Sequence, residues 1–231
     1  PKHNSKLDEY KTQFLHICIP FNSKFVKNTQ ELKKKFSPQG IIIHSTISPG
    51  TTKKIQEKIK DIPVLYSATR GVHKRMSSDL KKYTKFFAID KNSPKAKWAS
   101  SRYVTIMKKS GVKTKQMSKP ITLELAKIVV DTSYYGWLIN YAQISNMIAL
   151  KHNVNYDEMW SFADEIQQFL KNRPKLFPGF IGGHCVIPNL DLIDEDSLWQ
   201  IDKINNIYTK KVKNAKSIAK KYVKGKQSYD V

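Results

Sequence analysis

Gly40-Ile41-Ile42-Ile43-His44-Ser45-Thr46-Ile47-Ser48-Pro49-Gly50-Thr51-Thr52 is the stretch of sequence that decides the fold. A short apolar run that is closed by proline and glycine is typical of a strand buried on both faces. Thr51 or Thr52 is suited to cap a helix, which we expect to continue to about Lys60. The stretch therefore predicts a buried strand, a turn and a helix.

Similar strand and helix signals lie on both sides of this stretch. Apolar runs predict further strands at 13–19, 63–67, 86–90 and 112–116, and amphipathic patterns predict helices at 24–36 and 94–109. Strands separated by helical segments are typical of a parallel sheet with crossover helices. Ligand sites in such sheets lie at the carboxyl ends of the strands, which here are residues 20–22, 45–50 and 67–76.

The pattern changes at Ser118-Lys119-Pro120, where strand signals give way to helical ones. One long helix rich in Leu, Ile, Val, Tyr and Trp is predicted over 122–151, and its apolar residues on most faces indicate burial by several neighbours. Shorter helices are predicted at 156–171 and within 190–223, with a Pro- and Gly-rich loop at 172–189 between them. The sequence therefore predicts two domains, residues 1–117 and 118–231.

Composition limits the class of protein without choosing a partner. The chain of 231 residues is 40% hydrophobic and has 41 basic against 19 acidic residues, a net charge of +22. Such a charge favours phosphate-bearing small molecules, nucleic acid or anionic surfaces, although a compositional bias towards Lys explains it equally well. Two cysteines give no disulfide framework, which indicates a reducing, cytoplasmic location, and no signal peptide or membrane span is visible. The chain begins at Pro1 and not at Met, which is consistent with a natural start further upstream.

Two groups of residues are candidates for chemistry. Cys185 follows the glycines Gly182 and Gly183 in the long loop, where a thiol beside an imidazole is placed to act as a nucleophile. A structural cysteine in a connecting loop is an equally good interpretation. Glu124, Lys127 and Asp131 are spaced to share one helix face, either as an acid–base group or as an intrahelical salt bridge.

Four motifs together resemble the UDP-glucose/GDP-mannose dehydrogenase family, nearest the UDP-N-acetylmannosamine dehydrogenase branch. The helix segment Thr122–Lys127 with Asp131 is similar to the family's T-x-E-x-x-K-x-x-x-N helix, and Gly182–Asn189 is similar to its G-G-[SH]-C-x-P-x-D loop. The strand ends Ser45–Thr52 and Ile17–Pro20 resemble S-T-V-P-x-G-T-T and V-P-T-P. The resemblance covers about residues 12–220, and its motifs occur in the family's order and spacing.

The resemblance implies a fold and a set of roles. It implies a partial Rossmann-like parallel sheet followed by an all-helical domain like that of 6-phosphogluconate dehydrogenase. It implies oxidation of a sugar hydroxyl to a carboxylate in two hydride transfers to NAD, with a thioester on Cys185 and an oxyanion stabilised by Lys127. The other implied residues are Asp131 and Thr46 as catalytic residues; Glu124, Arg70, His73, Gly182, Gly183, His184 and Asn189 in substrate binding; and Pro20, Ser45 and Thr46 in cofactor binding. No metal is implied.

The sequence departs from the family pattern at several positions. Asn189 stands where the family has an aspartate, and Thr69 stands where it has the glutamate of S-P-E. The basic run Arg70–Arg75 follows, which suits either an anion site or a solvated loop. No Gly-x-Gly-x-x-Gly fingerprint occurs in the chain, so either a first βαβ unit precedes this sequence or ordinary NAD binding has been lost.

These departures leave alternatives open. The first is a divergent or inactive family member that serves as a binding or scaffold protein for an anionic partner, including nucleic acid. The tail 203–226 carries nine Lys and no acidic residue, which suits such a partner, although a solvated helix face is favoured. A different reaction, with Cys185 as nucleophile and Arg70 and His73 holding an acid group, is the second. The family's long helix also implies a homodimer.

Overall fold

Two units make up the chain in the computed structural model, which describes residues 12–183, 185–213 and 215, with His73 described only in its backbone. The division falls between Pro1–Lys127 and Ile128–Val231. The domain boundary predicted at 117/118 falls ten residues earlier, just before the helix that begins at Pro120, and remains a prediction.

A five-stranded sheet forms the core of the first unit, in the order β1-β2-β3-β4-β5. The strands are β1 Phe14–Ile17, β2 Gly40–Ile43, β3 Val64–Tyr66, β4 Lys85–Ile89 and β5 Thr114–Met117. Strands β1, β2 and β3 are parallel, as the sequence predicts. The predicted Rossmann-like sheet is thus confirmed as mostly parallel; only the pairing of β4 with β3 is antiparallel, while β4 pairs parallel with β5, so the sheet is mixed.

Helices cover both faces of this sheet. They are α1 Phe25–Phe36, α2 Thr51–Lys58, α3 Met76–Lys82, α4 Ala96–Lys109 and α5 Pro120–Leu125, with a 3-10 turn at His73–Arg75. One face buries Ile41, Ile43 and Tyr66 in the larger apolar cluster. The opposite face buries Ile42 and Leu65 beneath α4. Because the three central Ile residues of β2 are fully buried, the apolar run in the sequence correctly indicated a strand covered on both sides.

The first turn of α2 is capped from a distance. The sequence predicts Thr51 or Thr52 as the cap, but the helix begins after Gly50, which has a φ of 85° that favours glycine. The carboxylate of Glu124 accepts hydrogen bonds from the backbone N–H of Gly50 at 2.5 Å and of Thr52 at 2.9 Å. The negative charge of this buried carboxylate lies at the positive end of the helix. It is stabilised there by N–H groups that have no partner within the helix.

The second unit is helical in its described part. A π-helix at Ala126–Ser133 contains the division between the units and leads into α6 Tyr134–Lys151, which is followed by α7 Tyr156–Leu170, α8 Ile187–Leu190 and α9 Gln200–Lys211. At Gly136 a Cβ atom would lie 2.7 Å from Val186, so glycine lets the loop before α8 approach α6 closely. The predicted helix beyond Lys211 lies mostly outside the described residues. None of the described helices is long and apolar enough to span a bilayer.

One prediction about the long helix is wrong in part. Its apolar residues do not all lie in a core, because Val130, Tyr134 and Tyr141 are exposed by 69%, 58% and 62%. The following helix α7 has no buried residue at all. The second unit therefore presents a broad apolar surface.

Candidate functional site

Cys185 lies in a loop whose backbone forms hydrogen bonds with buried amide side chains. Asn205 on α9 accepts a hydrogen bond from the N–H of Ile181 at 2.9 Å and donates one to its carbonyl at 3.0 Å. Gln143 on α6 donates to the carbonyl of Gly179 at 2.7 Å and to Asn205 at 3.0 Å. Because buried amides need partners on both their N and O atoms, this pairing fixes the segment before the glycines.

The amide pair extends to a third residue on α6. Asn140 donates to the side chain of Gln143 at 2.9 Å and to the carbonyl of Ile201 at 3.2 Å. All three amides are buried among apolar neighbours. Sequence reasoning missed them, although Asn and Gln within an otherwise apolar helix were the signal that could have found them.

The thiol itself is accessible. Cys185 is exposed and unpaired, and Gly183, two residues before it, has a φ of 81°. Asn189, buried in α8, donates a hydrogen bond from its amide to the carbonyl of Cys185. The structure thus gives Asn189 a role in holding the loop. His184 lies outside the described residues.

The carboxyl ends of β1, β2 and β3 bring several predicted residues together in the first unit. Ser45 is the second residue after β2 and donates to the carbonyl of Ile19 at 2.5 Å, which joins it to the Pro20 end of β1. Thr46 is partly buried beside it, and Pro20 is exposed. Arg70 donates to the carbonyl of Thr84 at 2.9 Å and stacks over the ring of Phe86.

Lys85 is a member of this site that the sequence did not reveal. Its ammonium is buried and donates to the carbonyls of Ser67 and Ala68 at 3.0 and 3.1 Å and to the hydroxyl of Thr69 at 3.1 Å. Burial and, in smaller measure, the charges of Arg70 and Lys127 lower the pKa of Lys85 to about 8. Arg70, Lys127 and Lys85 are therefore close enough to interact, and this edge of the sheet is positively charged.

Glu124 binds the start of α2, which follows the carboxyl end of β2. Both of its oxygens bind the start of α2, and it lines a cavity of about 580 Å³ between α2 and α5. Asp131 is partly buried in the π-helix, where each turn contains one residue more than in an α-helix. The side chain of His73 lies outside the description. Among the described residues no group of three or more His, Cys, Asp or Glu is arranged to hold a metal ion.

Comparison with known sequences finds no counterpart. No protein-family model matches the chain. No curated protein sequence matches it either.

Comparison with solved structures is informative. The UDP-D-ManNAc dehydrogenase of Pyrococcus horikoshii is similar over 87% of this chain and 52% of its own, with a TM-score of 0.71 and 21% identity. An NDP-N-acetyl-D-galactosaminuronic acid dehydrogenase of Methanosarcina mazei matches 96% of this chain and 53% of its own, with a TM-score of 0.65 and 18% identity. A UDP-glucose dehydrogenase of Pyrobaculum islandicum matches 94% of this chain and 52% of its own, with a TM-score of 0.61 and 12% identity.

These likenesses confirm the fold that the resemblance implied. The chain spans about half the length of these three enzymes. At identities of 21% and below they establish architecture alone. The chain therefore has the fold of the nucleotide-sugar dehydrogenases, a Rossmann-like sheet with a helical domain after it.

Proposed function

We propose that this protein is an oxidoreductase of the nucleotide-sugar dehydrogenase type, which oxidises a sugar hydroxyl to a carboxylate through a thioester on Cys185. The observation that carries the proposal is the exposed thiol of Cys185 in a glycine loop that Gln143, Asn205 and Asn189 hold in place. A nucleophile needs both access to substrate and a fixed position, and this loop supplies both.

The proposed reaction passes through a covalent intermediate on Cys185. The sugar hydroxyl is first oxidised to an aldehyde, and the sulfur of Cys185 attacks the carbonyl carbon to give a thiohemiacetal. A second oxidation of that carbon gives the thioester. Water then displaces the sulfur, releases the carboxylate and restores the thiol. The resemblance to the dehydrogenase family gives Lys127 the role of stabilising the oxyanion that develops at the attacked carbon, since a prepositioned charge is the most effective partner for it.

NAD is the cofactor that this chemistry requires, as the acceptor of the two hydrides. The residues present fit such a group in charge, because Lys85, Arg70 and Lys127 make the carboxyl edge of the sheet positive and a dinucleotide carries two phosphates. We expect Pro20, Ser45 and Thr46 to lie against it at this edge. In this account the side-chain cations at this edge contact the phosphates.

The experiment that tests the proposal is a turnover assay. The full chain is incubated with NAD and UDP-N-acetylmannosamine, and NADH is measured. We expect Cys185→Ala to abolish NADH formation, while Cys18→Ala, which removes the other exposed thiol and leaves Cys185 in place, still forms NADH. Equal activity in wild type and Cys185→Ala would remove Cys185 from the reaction.

One observation supports the alternative that the chain is a binding or scaffold protein. Asn189, which stands in place of an aspartate, is an amide donor engaged with the Cys185 carbonyl. If no sugar nucleotide yields NADH and the chain instead binds DNA or RNA with a steep salt dependence, the scaffold function replaces the dehydrogenase.

A further inference from the structure

Two histidine rings meet edge to edge at the carboxyl ends of β1 and β2, within the first unit. His16 lies in β1 and His44 directly follows β2, and their ring centroids are 5.1 Å apart with planes inclined by 12°. Nδ1 of His16 lies 2.9 Å from Nε2 of His44. The two rings are therefore joined by a hydrogen bond, and one nitrogen must donate to the other.

The surrounding contacts decide where the protons are. Nδ1 of His44 lies 2.9 Å from the carbonyl oxygen of Ser67, which can only accept, so Nδ1 of His44 carries a proton. Burial and the charge of Lys85 lower the pKa of His44 to about 3, so the ring is neutral at pH 7. Nε2 of His44 is then an acceptor, and Nδ1 of His16 must donate to it.

Because its proton is on Nδ1, His16 has a lone pair on Nε2 that can accept a hydrogen bond. Partial burial and Lys85 lower the pKa of His16 as well, which keeps this ring neutral. Within the described part of the chain, Nε2 of His16 has no hydrogen-bond partner, and the residue is accessible to solvent. A purely structural pair would use both rings inside the protein, whereas here one acceptor has no partner among the described residues.

The charges facing this acceptor come from several elements. Lys85 on β4 interacts with both rings, and it donates to the same Ser67 carbonyl as His44, so both lone pairs of that oxygen are used. Cys18 after β1, Arg70 after β3 and Lys127 interact in turn with Lys85. A neutral acceptor beside cations suits a ligand that carries a hydroxyl close to a negative charge.

We propose that His16 binds a hydroxyl of the nucleotide ligand, with its Nε2 as the acceptor and His44 as the residue that positions it. The ligand class is a sugar or ribose hydroxyl close to a phosphate, and its choice rests on the proposed function. His44 does not touch the ligand. It acts by holding the proton of His16 on Nδ1.

Histidine nitrogen NMR on the full chain tests this inference. Before any ligand is added, we expect the Nδ1–H tautomer for both His16 and His44. NAD and UDP-N-acetylmannosamine are then added separately. At least one of them is expected to move the Nε2 resonance of His16 saturably towards the hydrogen-bonded value, while the exposed His152 in the other unit does not respond.

Two variants separate binding from positioning. His16→Phe, which keeps an aromatic ring and removes both nitrogens, should weaken binding of that ligand roughly two- to tenfold, the range for one neutral hydrogen bond. His44→Phe keeps an aromatic ring but removes the acceptor, so it should return His16 to a mixture of tautomers and weaken binding by a similar factor. His16→Phe changes an accessible residue, so it tests the inference even if His44→Phe does not fold.

Each outcome decides the inference. If His16 carries its proton on Nε2, the inference is wrong. It is also wrong if a ligand binds, as other resonances report, while Nε2 of His16 does not move, and the proposed function then stands. If neither compound moves any resonance, the proposed function and the inference fall together.

Discussion

At the residue scale, the pKa of one buried histidine makes a prediction about pH. His44 has a pKa of about 3 in the folded chain against 6.5 for a free ring, so the unfolded state binds a proton first as the pH falls. The stability from this residue is complete above pH 6.5 and is lost progressively below it. Between pH 7 and pH 5 the loss is about 2 kcal/mol.

The measurement is urea unfolding of wild type and His44→Gln at both pH values. Gln does not titrate, so the wild type should lose about 2 kcal/mol more than the variant on acidification. Parallel losses in the two proteins would show that His44 titrates normally when folded.

Asn189 gives a second prediction at this scale. Asn189→Asp removes the amide that donates to the Cys185 carbonyl and places a carboxylate against it, which should cost about 1–3 kcal/mol. Hydrogen exchange should then accelerate in the loop and α8. Asp191→Asn, which makes the opposite change at an exposed neighbour, is the control. Unchanged protection in Asn189→Asp would mean that the amide does not hold the loop.

At the scale of elements, the three amides Asn140, Gln143 and Asn205 join α6 and α9 to the glycine loop. Asn205→Leu leaves the N–H and carbonyl of Ile181 and one amide proton of Gln143 without partners, so we expect a loss of about 1–3 kcal/mol for each buried group. Asn206→Leu, at the exposed neighbouring position, should change stability by less than about 0.5 kcal/mol. Equal unfolding midpoints for the two variants would contradict the network.

Strands and helices were predictable from sequence where the cause is local. The apolar run of β2 and the amphipathic pattern of α1 identified both elements, because a buried strand and an amphipathic helix each have a characteristic spacing. The direction of β4 was not predictable, since an apolar pattern carries no information on strand direction. Glu124 caps α2 from 72 residues away, a contact that no local rule contains.

The residues of the candidate site also fall into two groups, those that were recognisable from local sequence and those that were not. Cys185 and its glycines were recognisable because their residue types are unusual together. The His16–His44 pair joins residues 28 apart, and the three hydrogen bonds of Lys85 depend on β4 lying antiparallel beside β3. Such contacts become visible only when the sheet is assembled.

At the scale of the whole molecule, the apolar surface of the second unit predicts self-association. Phe162 and Phe169 are 89% and 77% exposed on α7, and a groove of about 610 Å³ lies between α6 and α7. Exposed apolar surface of this extent is typical of an interface, and we propose a homodimer. Phe162→Glu should shift sedimentation towards monomer, whereas Tyr83→Glu, at an exposed position in the first unit, should not. A wild-type monomer at every concentration would contradict the dimer.

The central claim is that Cys185 carries the sugar as a thioester. The most direct measurement is peptide mass spectrometry of the full chain, quenched in acid during turnover with NAD and UDP-N-acetylmannosamine. We predict an adduct with the mass of the acyl sugar nucleotide on the peptide that contains Cys185, removable by hydroxylamine and missing from Cys185→Ser. NADH formation with this peptide unmodified, or an adduct on the Cys18 peptide instead, would contradict the account.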